Sequence, residues 1–560
     1  MEATEKSAPA VDVVARHRGL VVRTALISAL TLSSRLIGFA RESFSAFLFG
    51  DASAVNDAFV TAWRVPNLFR SLLGEGAMST ALQTAITKAD AEGGDEAGRR
   101  LFLAITRILG SLLVVLCGGL MLVVYCMPDR MPFTDFAWLG EHPELVRELT
   151  VRMLPFVILV CLSAVCSGAL NVRGHFLSPS LAPVVMNVWW IGALAIVAIH
   201  FGWTRSGGDE AAEFQRQAGM ARWLAGFVLI AGAILLAVQV PALFSKGLLQ
   251  RPTPSASRPS IAIPTREVLA ILWASAPLAL GAAVYQINVM VDGLMAMGLA
   301  DRGGASVLYY ATRIQQFPMS LIAIAATSAV FPALTALGHQ KALGSVRALH
   351  DRTQHAIAFV AIPASVGLLC FAEPIITVVY RHGAFGDEGV HRAAAALRCL
   401  TLAILPAGAA GLVARTFYAL GDFKTPVRIS IAMLIANIAL NLLFVGALGM
   451  DIDGLALATA ITAWGNLWLL APGLRGRLGL PEAGAEFRPR LVRVLVAAAT
   501  STIVARGLYE ILRGEGSPAL PLLASIGASV ALFAGLAHFL RIPEWEHLVS
   551  RLRGGRSGPA

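Results

Sequence analysis

The chain has 560 residues, is 56% hydrophobic and only 14% charged, and has a mean hydropathy of +0.68. A soluble domain carries about 25% charged residues, and the deficit here runs the whole length, which excludes a soluble enzyme on a single anchor. The net charge of +10 and pI near 9.7 do not mark a nucleic-acid binder: no basic patch is interleaved with aromatics, and basic residues retain cytoplasmic loops.

In chain order, a polar tail (1–19) precedes an apolar run too long for the roughly 7–15-residue core of a signal peptide. That run is expected to stay as a first membrane helix. A span needs about 20 apolar residues. Candidate spans lie at 20–49, 55–83, 103–127, 150–171, 181–202, 221–244, 267–298, 305–337, 354–380, 393–419, 427–449, 453–473, 491–512 and 518–540. The expected fold class is therefore all-α, a polytopic membrane protein of about fourteen helices. Pro66, Pro155, Pro183, Pro277, Pro318, Pro363 and Pro406 fall inside spans and suggest kinks. The six cysteines lie in or beside apolar runs without metal-type spacing, so they read as packing residues and no metal is expected.

Arg and Lys concentrate in alternate connections, from Arg16, Arg18 and Arg23 to Arg551 and Arg553. This bias places both termini in the cytoplasm of a multi-pass inner-membrane protein. A weak internal repeat joins "GALNVRGHFLSPSLAPVVMN", from Gly168, to "TFYALGDFKTPVRISIAMLIAN", from Thr416. Gly174 and Pro179 align with Gly421 and Pro426, both at a shift of 247 (421 − 174 and 426 − 179). Six spans separate the copies, so they point the same way, a known transporter architecture. The expected divisions are a cytoplasmic N-terminal tail (1–19), an N-lobe (20–245), a cytoplasmic linker (246–266), a C-lobe (267–473), a final helix pair (474–540) and a C-terminal tail (541–560).

Several spans carry charge. Arg35, Arg41 and Glu42 lie in the first. Asp57, Arg64, Asn67, Arg70 and Glu75 lie in the second, and Arg313 in the eighth. An arginine at a helix centre costs about 2.5–3.5 kcal/mol on insertion scales, tolerable where it faces water, an anion or a carboxylate. Asn67, Arg70 and Gly74 share a helix face. Arg35 with Asp57, and Arg41 with Glu42 or Glu75, are natural ion pairs, while Arg64 is placed to snorkel. Acids are too few to neutralise Arg41, Arg70 and Arg313. The spacing thus points to a transporter with a cationic cavity for an anionic, phosphorylated substrate, since the guanidinium fork matches phosphate. In the second half, Asp292, Asn437 and Asn441, Thr459 and Thr462 supply oxygens for a Na⁺ ion or, equally, for interhelical hydrogen bonds.

The words "SRLIGFARE", "NDAFVTAWRVPNLFRSLLGEGAMS", "LNVRGHFLSPSLAPVVMN", "YYATRIQQFP" and "TFYALGDFKTPVRISIAMLIANIALNLL" resemble, in order, the lipid II flippase family (MurJ or MviN) of the multidrug/oligosaccharidyl-lipid/polysaccharide exporter superfamily. The resemblance implies two six-helix lobes around a central cavity and a final pair forming a groove for a lipid tail. It implies a substrate site of Arg35, Arg41, Glu42, Asp57, Asn67, Arg70, Glu75 and Arg313, and a sodium site at Asp292, Asn437, Asn441 and one of the threonines. The implied partner is lipid II, with cell-wall synthesis or division proteins as further partners. No cofactor is expected, with Na⁺ as a candidate coupling ion. Two departures stand out: Thr312 occupies a position usually Asp, and "LIAIAATSAV" replaces a run rich in "GVAIGT". Another anionic lipid-linked saccharide is the rival substrate. A membrane glycosyltransferase is the rival class, against which the short outer loops and scattered His142, His175 and His382 argue.

Overall fold

The computed structural model describes residues 10–70, 77–128, 139–203, 209–250, 265–327, 330–479, 487–514 and 517–552. Every regular element among them is helical. A first group comprises α1 (Ala10–Phe49), α2 (Ala54–Phe69), α3 (Ala77–Cys126), α4 (Pro143–Met153), α5 (Phe156–Val172), α6 (Leu177–Phe201), α7 (Glu210–Ala237) and α8 (Val240–Ser245). A second comprises α9 (Thr265–Leu299), α10 (Gly304–Thr327), α11 (Phe331–His339), α12 (Leu343–Tyr380), α13 (Asp387–Thr401), α14 (Ile404–Ala419), α15 (Lys424–Asn441), a π-helical turn (Leu442–Ala447) and α16 (Ile452–Leu478). Then follow α17 (Phe487–Leu512), α18 (Ala519–Phe539) and the short α19 (Pro543–Leu552).

Among the described residues nine helices are long and apolar enough to cross a bilayer, or ten if α13 and α14, bent by 42°, form one span. Of the fourteen expected spans, the other four coincide with α1, α2, α9 and α10. These carry the buried charges or run into residues outside the description, so composition alone does not classify them. The second expected span (55–83) takes in α2 to Phe69 and the start of α3 from Ala77, with residues 71–76 outside the described residues. Two of the expected prolines mark breaks. The helix is interrupted at Leu154–Pro155, and the 42° bend lies just ahead of Pro406. Pro66, Pro183, Pro318 and Pro363 stay inside continuous helices, because neighbouring helices can re-satisfy the backbone groups that a proline frees.

The first group buries one apolar core, including Phe102, Leu149, Phe156, Leu194 and Val228. The second buries two, around Tyr310, Tyr380 and Leu397 and around Leu412, Phe417 and Leu470. The α17–α18 pair packs on α12: Val494, Ala497 and Ala537 meet Ala358 and Ile362, and Ala505 and Tyr509 meet Phe371. Helices α12 and α17 therefore run in parallel. Ala384, just past α12, donates its N–H to Phe47 O at the end of α1 (2.9 Å). The described starts of α1, α12 and α17 and the end of α18 hence share one face of the bundle, the near face; residues 47–57 lie on the far face.

The two repeat loops close in the same way on the near face. Gly174 (φ +70°) and Gly421 (φ +82°) hold the left-handed conformation that glycine tolerates best. In both, the following N–H bonds back five residues: His175 to Leu170 O and Asp422 to Phe417 O, each 2.9 Å. This is the Schellman closure of a helix end. Pro179 and Pro426 each take the third position of the next helix, α6 and α15. Burial alone would raise the Asp422 carboxyl, but hydrogen bonds from Thr425 and Lys424 N–H and the Arg477 guanidinium hold it below the usual carboxylate range.

Candidate functional site

Two helices build the charged centre by ordinary helical periodicity. On α1, Arg35, Gly38, Phe39 and Glu42 follow i, i+3, i+4, i+7 spacing, which aligns them on one stripe. On α10, Tyr309, Arg313, Gln316 and Phe317 follow i, i+4, i+7, i+8. The stripes face each other across the boundary between the groups. A cavity of about 150 Å³ between them is lined by Arg35, Gly38, Phe39, Arg41, Glu42, Arg313, Gln316 and Phe317.

One carboxylate serves both sides of this cavity. Glu42 Oε1 takes a charged hydrogen bond from Arg41 Nη2 and lies 3.6 Å from Arg313 Nε. It also accepts from Tyr309 Oη at 2.9 Å. Tyr309 in turn accepts from Arg313 Nη2 at 2.7 Å, and its ring lies 4.5 Å below that guanidinium. Gln316 Oε1 accepts from Arg313 Nη1 at 3.0 Å. Arg41 is fixed from elsewhere: Nη1 donates to Asn187 Oδ1 (3.1 Å), and its guanidinium lies 5.1 Å from the centre of the Trp190 ring. Asn187 is itself anchored, donating to Ser34 O at 3.0 Å. Three guanidiniums and one carboxylate thus line a single hollow, with Arg41 and Arg313 held on aromatic faces. The Thr312 hydroxyl turns away, donating to Leu308 O at 2.7 Å. Arg313 is therefore oriented by Tyr309 and Gln316, not by the residue before it.

Other expected site residues lie elsewhere. Asp57 was expected beside Arg35. Instead its oxygens accept from Gly303 N (2.8 Å), Ser306 N (2.8 Å) and Ser306 Oγ (2.6 Å) on the far face. The reason is local: α10 begins at Gly304, and a helix N-terminus draws a carboxylate. Asn67 and Arg70 do share a face, with Arg70 Nε donating to Asn67 Oδ1 at 3.1 Å, but neither lines the cavity above. Glu75 lies outside the described residues. Arg64 does not snorkel. It is 9% exposed, donates to Val289 O at 2.6 Å, and lies flat on Gly293 of α9, where any Cβ would collide with its guanidinium.

In the second group, the structure brings Asp292, Asn437, Asn441 and Thr459 together. Asn441 Nδ2 donates to Asp292 Oδ1 (2.8 Å) and Asn437 Oδ1 (3.0 Å). Thr459 Oγ1 and Asn288 Nδ2 donate to Asp292 Oδ2 at 2.9 and 3.2 Å. Asn441 Oδ1 is buried with no hydrogen-bond partner. Thr462 does not join; its hydroxyl bonds to its own helix at Ala458 O and Thr459 O.

Residues not anticipated from sequence are Tyr309, Gln316, Asn187 and Trp190. The first two were legible in principle, one turn either side of Arg313. Asn187 and Trp190 carry no sequence signal, since they reach Arg41 from about 146 residues away.

A family model described as Lipid II flippase MurJ matches residues 45–525. Among curated relatives, "Lipid II flippase MurJ" of Burkholderia cenocepacia is 29% identical over 520 residues, covering 91% of this chain and 94% of its own. "Probable lipid II flippase MurJ" of Bdellovibrio bacteriovorus is 30% identical over 552 residues, covering 96% and 97%. The solved "Lipid II flippase MurJ, inward closed conformation" superposes with a TM-score of 0.68 at 20% identity, covering 92% of this chain and 99% of that one. An inward-facing multidrug resistance MATE family transporter of the MOP superfamily superposes at 0.62 and 16% identity, covering 81% and 98%. With a family match over most of its length and full-length relatives at this identity, the chain belongs to the lipid II flippase MurJ family.

Proposed function

We propose that this protein flips lipid II, the undecaprenyl-pyrophosphate-linked disaccharide-pentapeptide, from the inner to the outer leaflet of the cytoplasmic membrane by alternating access. The near face, with both termini, is cytoplasmic in this reading, as the Arg and Lys distribution favours. The observation that carries the reading is the pair Arg41 and Arg313, brought from two helix groups onto the single acid Glu42. An anion with two charges and bidentate oxygens suits such an excess of guanidinium. The hollow, about 150 Å³, is well below the roughly 300–1,000 Å³ of small-molecule sites. It has room for the diphosphate, while sugar and peptide require the groups to part. The prenyl tail stays in lipid against α17 and α18. Depleting the protein in its native cell and labelling lipid II tests the proposal. Accumulation on the cytoplasmic leaflet is expected; accumulation on the outer leaflet overturns it. Flipping of a different lipid-linked saccharide in preference to lipid II would reassign the substrate and keep the transport.

An inside-negative potential pushes an anionic head outward by about 2.3 kcal/mol per charge per 100 mV. A second drive is a sodium gradient acting at Asp292, Asn437, Asn441 and Thr459. This set offers one carboxylate, two amide oxygens and a hydroxyl, a donor set suited to a hard cation, and the orphaned Asn441 Oδ1 would gain a partner. Bound Na⁺ would supply charge neutralisation of Asp292 there. Asp292→Asn should remove any sodium stimulation of flipping in proteoliposomes and leave the potential-driven component. Undiminished sodium stimulation in that variant would take the ion away from this cluster.

A further inference from the structure

Cross-group ion pairs among the described residues occur at two levels. One is the central Glu42–Arg313 pair. The other is on the far face, where Arg302, in the loop between α9 and α10, binds two acids of the first group. Its Nη2 donates to Glu141 Oε2 at 2.9 Å, and its Nη1 bonds to Glu210. The pairs on the near face stay within a group: Arg173 with Asp90, and Arg477 with Asp422.

The loop bearing Arg302 is braced from its own group. Arg392 of α13 donates to the carbonyls of Arg302 (2.8 Å) and Asp301 (3.2 Å). Arg392 is itself held bidentately by Asp451 at 2.6 and 3.0 Å. Beside the loop, Gly303 (φ +85°) abuts Asp51 O of the first group so closely that a Cβ there would collide, which puts the loop directly on the seam between the groups. Through Arg392 and Asp451 the loop is braced on the second group, and the Arg302 guanidinium reaches from it across the seam to the first. Glu141 precedes α4 and Glu210 opens α7, so one cation clasps two separate elements.

We propose that Arg302 is an ionic latch that holds the far face shut, with Glu141 and Glu210 as its two catches. Separating the helix groups at this face breaks both pairs at once and leaves two acids facing an unoccupied cation. The side chains are 47%, 59% and 83% exposed, so each pair is individually weak. Their weight is in a conformational balance, where a small difference in free energy shifts populations several-fold. The latch acts on the movement, whatever the cargo, so its test does not depend on lipid II.

The test is outside access to the cavity. Ser45 borders the charged centre beneath the far-face seam. A cysteine there, Ser45→Cys, is labelled in cells by a membrane-impermeant maleimide added outside, with the parent chain as background. Arg302→Glu should raise the labelling rate by about tenfold, because two attractions become two repulsions. Adding Glu141→Arg and Glu210→Arg should return it to the starting rate. An unchanged rate in Arg302→Glu, or a rise that the swap does not reverse, overturns the latch. Should Arg302→Glu fail to insert, Arg302→Gln serves. In purified protein, raising salt from low to about 1 M should then speed labelling of the Arg302 form and not of Arg302→Gln, since exposed pairs are screened. Equal salt responses would also overturn it.

Discussion

Replacing Arg41 or Arg313 by alanine is expected to abolish complementation of a strain depleted of its own flippase, while leaving membrane insertion normal. Each guanidinium is mostly withdrawn from solvent, with side-chain exposures of 13% and 27%. Each would make charge-assisted contacts worth about 1.5–3 kcal/mol to a bound anion. Losing one such contact weakens capture of a diphosphate by roughly 10- to 150-fold, since 1.4 kcal/mol is tenfold. Insertion should survive because removing either side chain deletes a charge that is costly in a membrane helix, and Glu42 keeps the other arginine as a partner. Arg→Lys variants should fall between, keeping the charge and losing the two-pronged geometry. Complementation scored beside fluorescence of a tagged protein checks this. Full growth from either alanine variant removes that residue from the site.

The second large effect is expected at Glu42. In Glu42→Ala, Arg41, Arg313 and Tyr309 lose their common acceptor in one step. Removing one partner of a buried ion pair typically costs about 3–5 kcal/mol, because the remaining charge is left without compensation. Glu42→Ala should therefore lower the thermal midpoint of the detergent-purified protein. Inorganic pyrophosphate should restore part of the loss, and should stabilise the variant more than the parent, whose own carboxylate competes for the same donors. A ligand that binds only the folded form raises stability by RT ln(1 + [L]/Kd), so the midpoint should climb with pyrophosphate concentration. Equal pyrophosphate responses in variant and parent would show that Glu42 is not the stand-in for a bound anion. The two experiments probe opposite sides of one arrangement, a carboxylate that keeps two arginines from separate helix groups together until a better anion arrives.

That arrangement links substrate to movement. Glu42 belongs to α1, whose far end also carries Phe47, hydrogen-bonded to Ala384 across the far-face seam. Arg313 belongs to α10, whose first turn is capped by Asp57 and follows the Arg302 loop. One pair of helices therefore carries both the charged hollow and the seam that seals it. An anion that draws Arg41 and Arg313 off Glu42 weakens a cross-group contact in the middle of the same helices that must part at the far face.

Much of this protein is local enough to be written in the chain. Apolar runs of bilayer length give the helices, because in hydrocarbon every backbone group must bond within its own segment. The 3.6-residue period put Arg35 and Glu42, Asn67 and Arg70, and Asn437 and Asn441 on common faces without reference to anything distant. The repeat placed Gly174 and Gly421 in matching helix-ending loops, and both hold the same left-handed turn. The tertiary structure alone decided which charges meet. Asp57 left Arg35 for the start of α10, Arg64 was buried on Gly293 instead of reaching an interface, Thr462 stayed on its own backbone, and Tyr309, Asn187 and Trp190 took charge of the arginines. The physical reason is separation: these partners come from helices up to about 270 residues apart, and a side-chain pair of that kind is fixed by the packing of whole helices, which has no local period for a sequence to display.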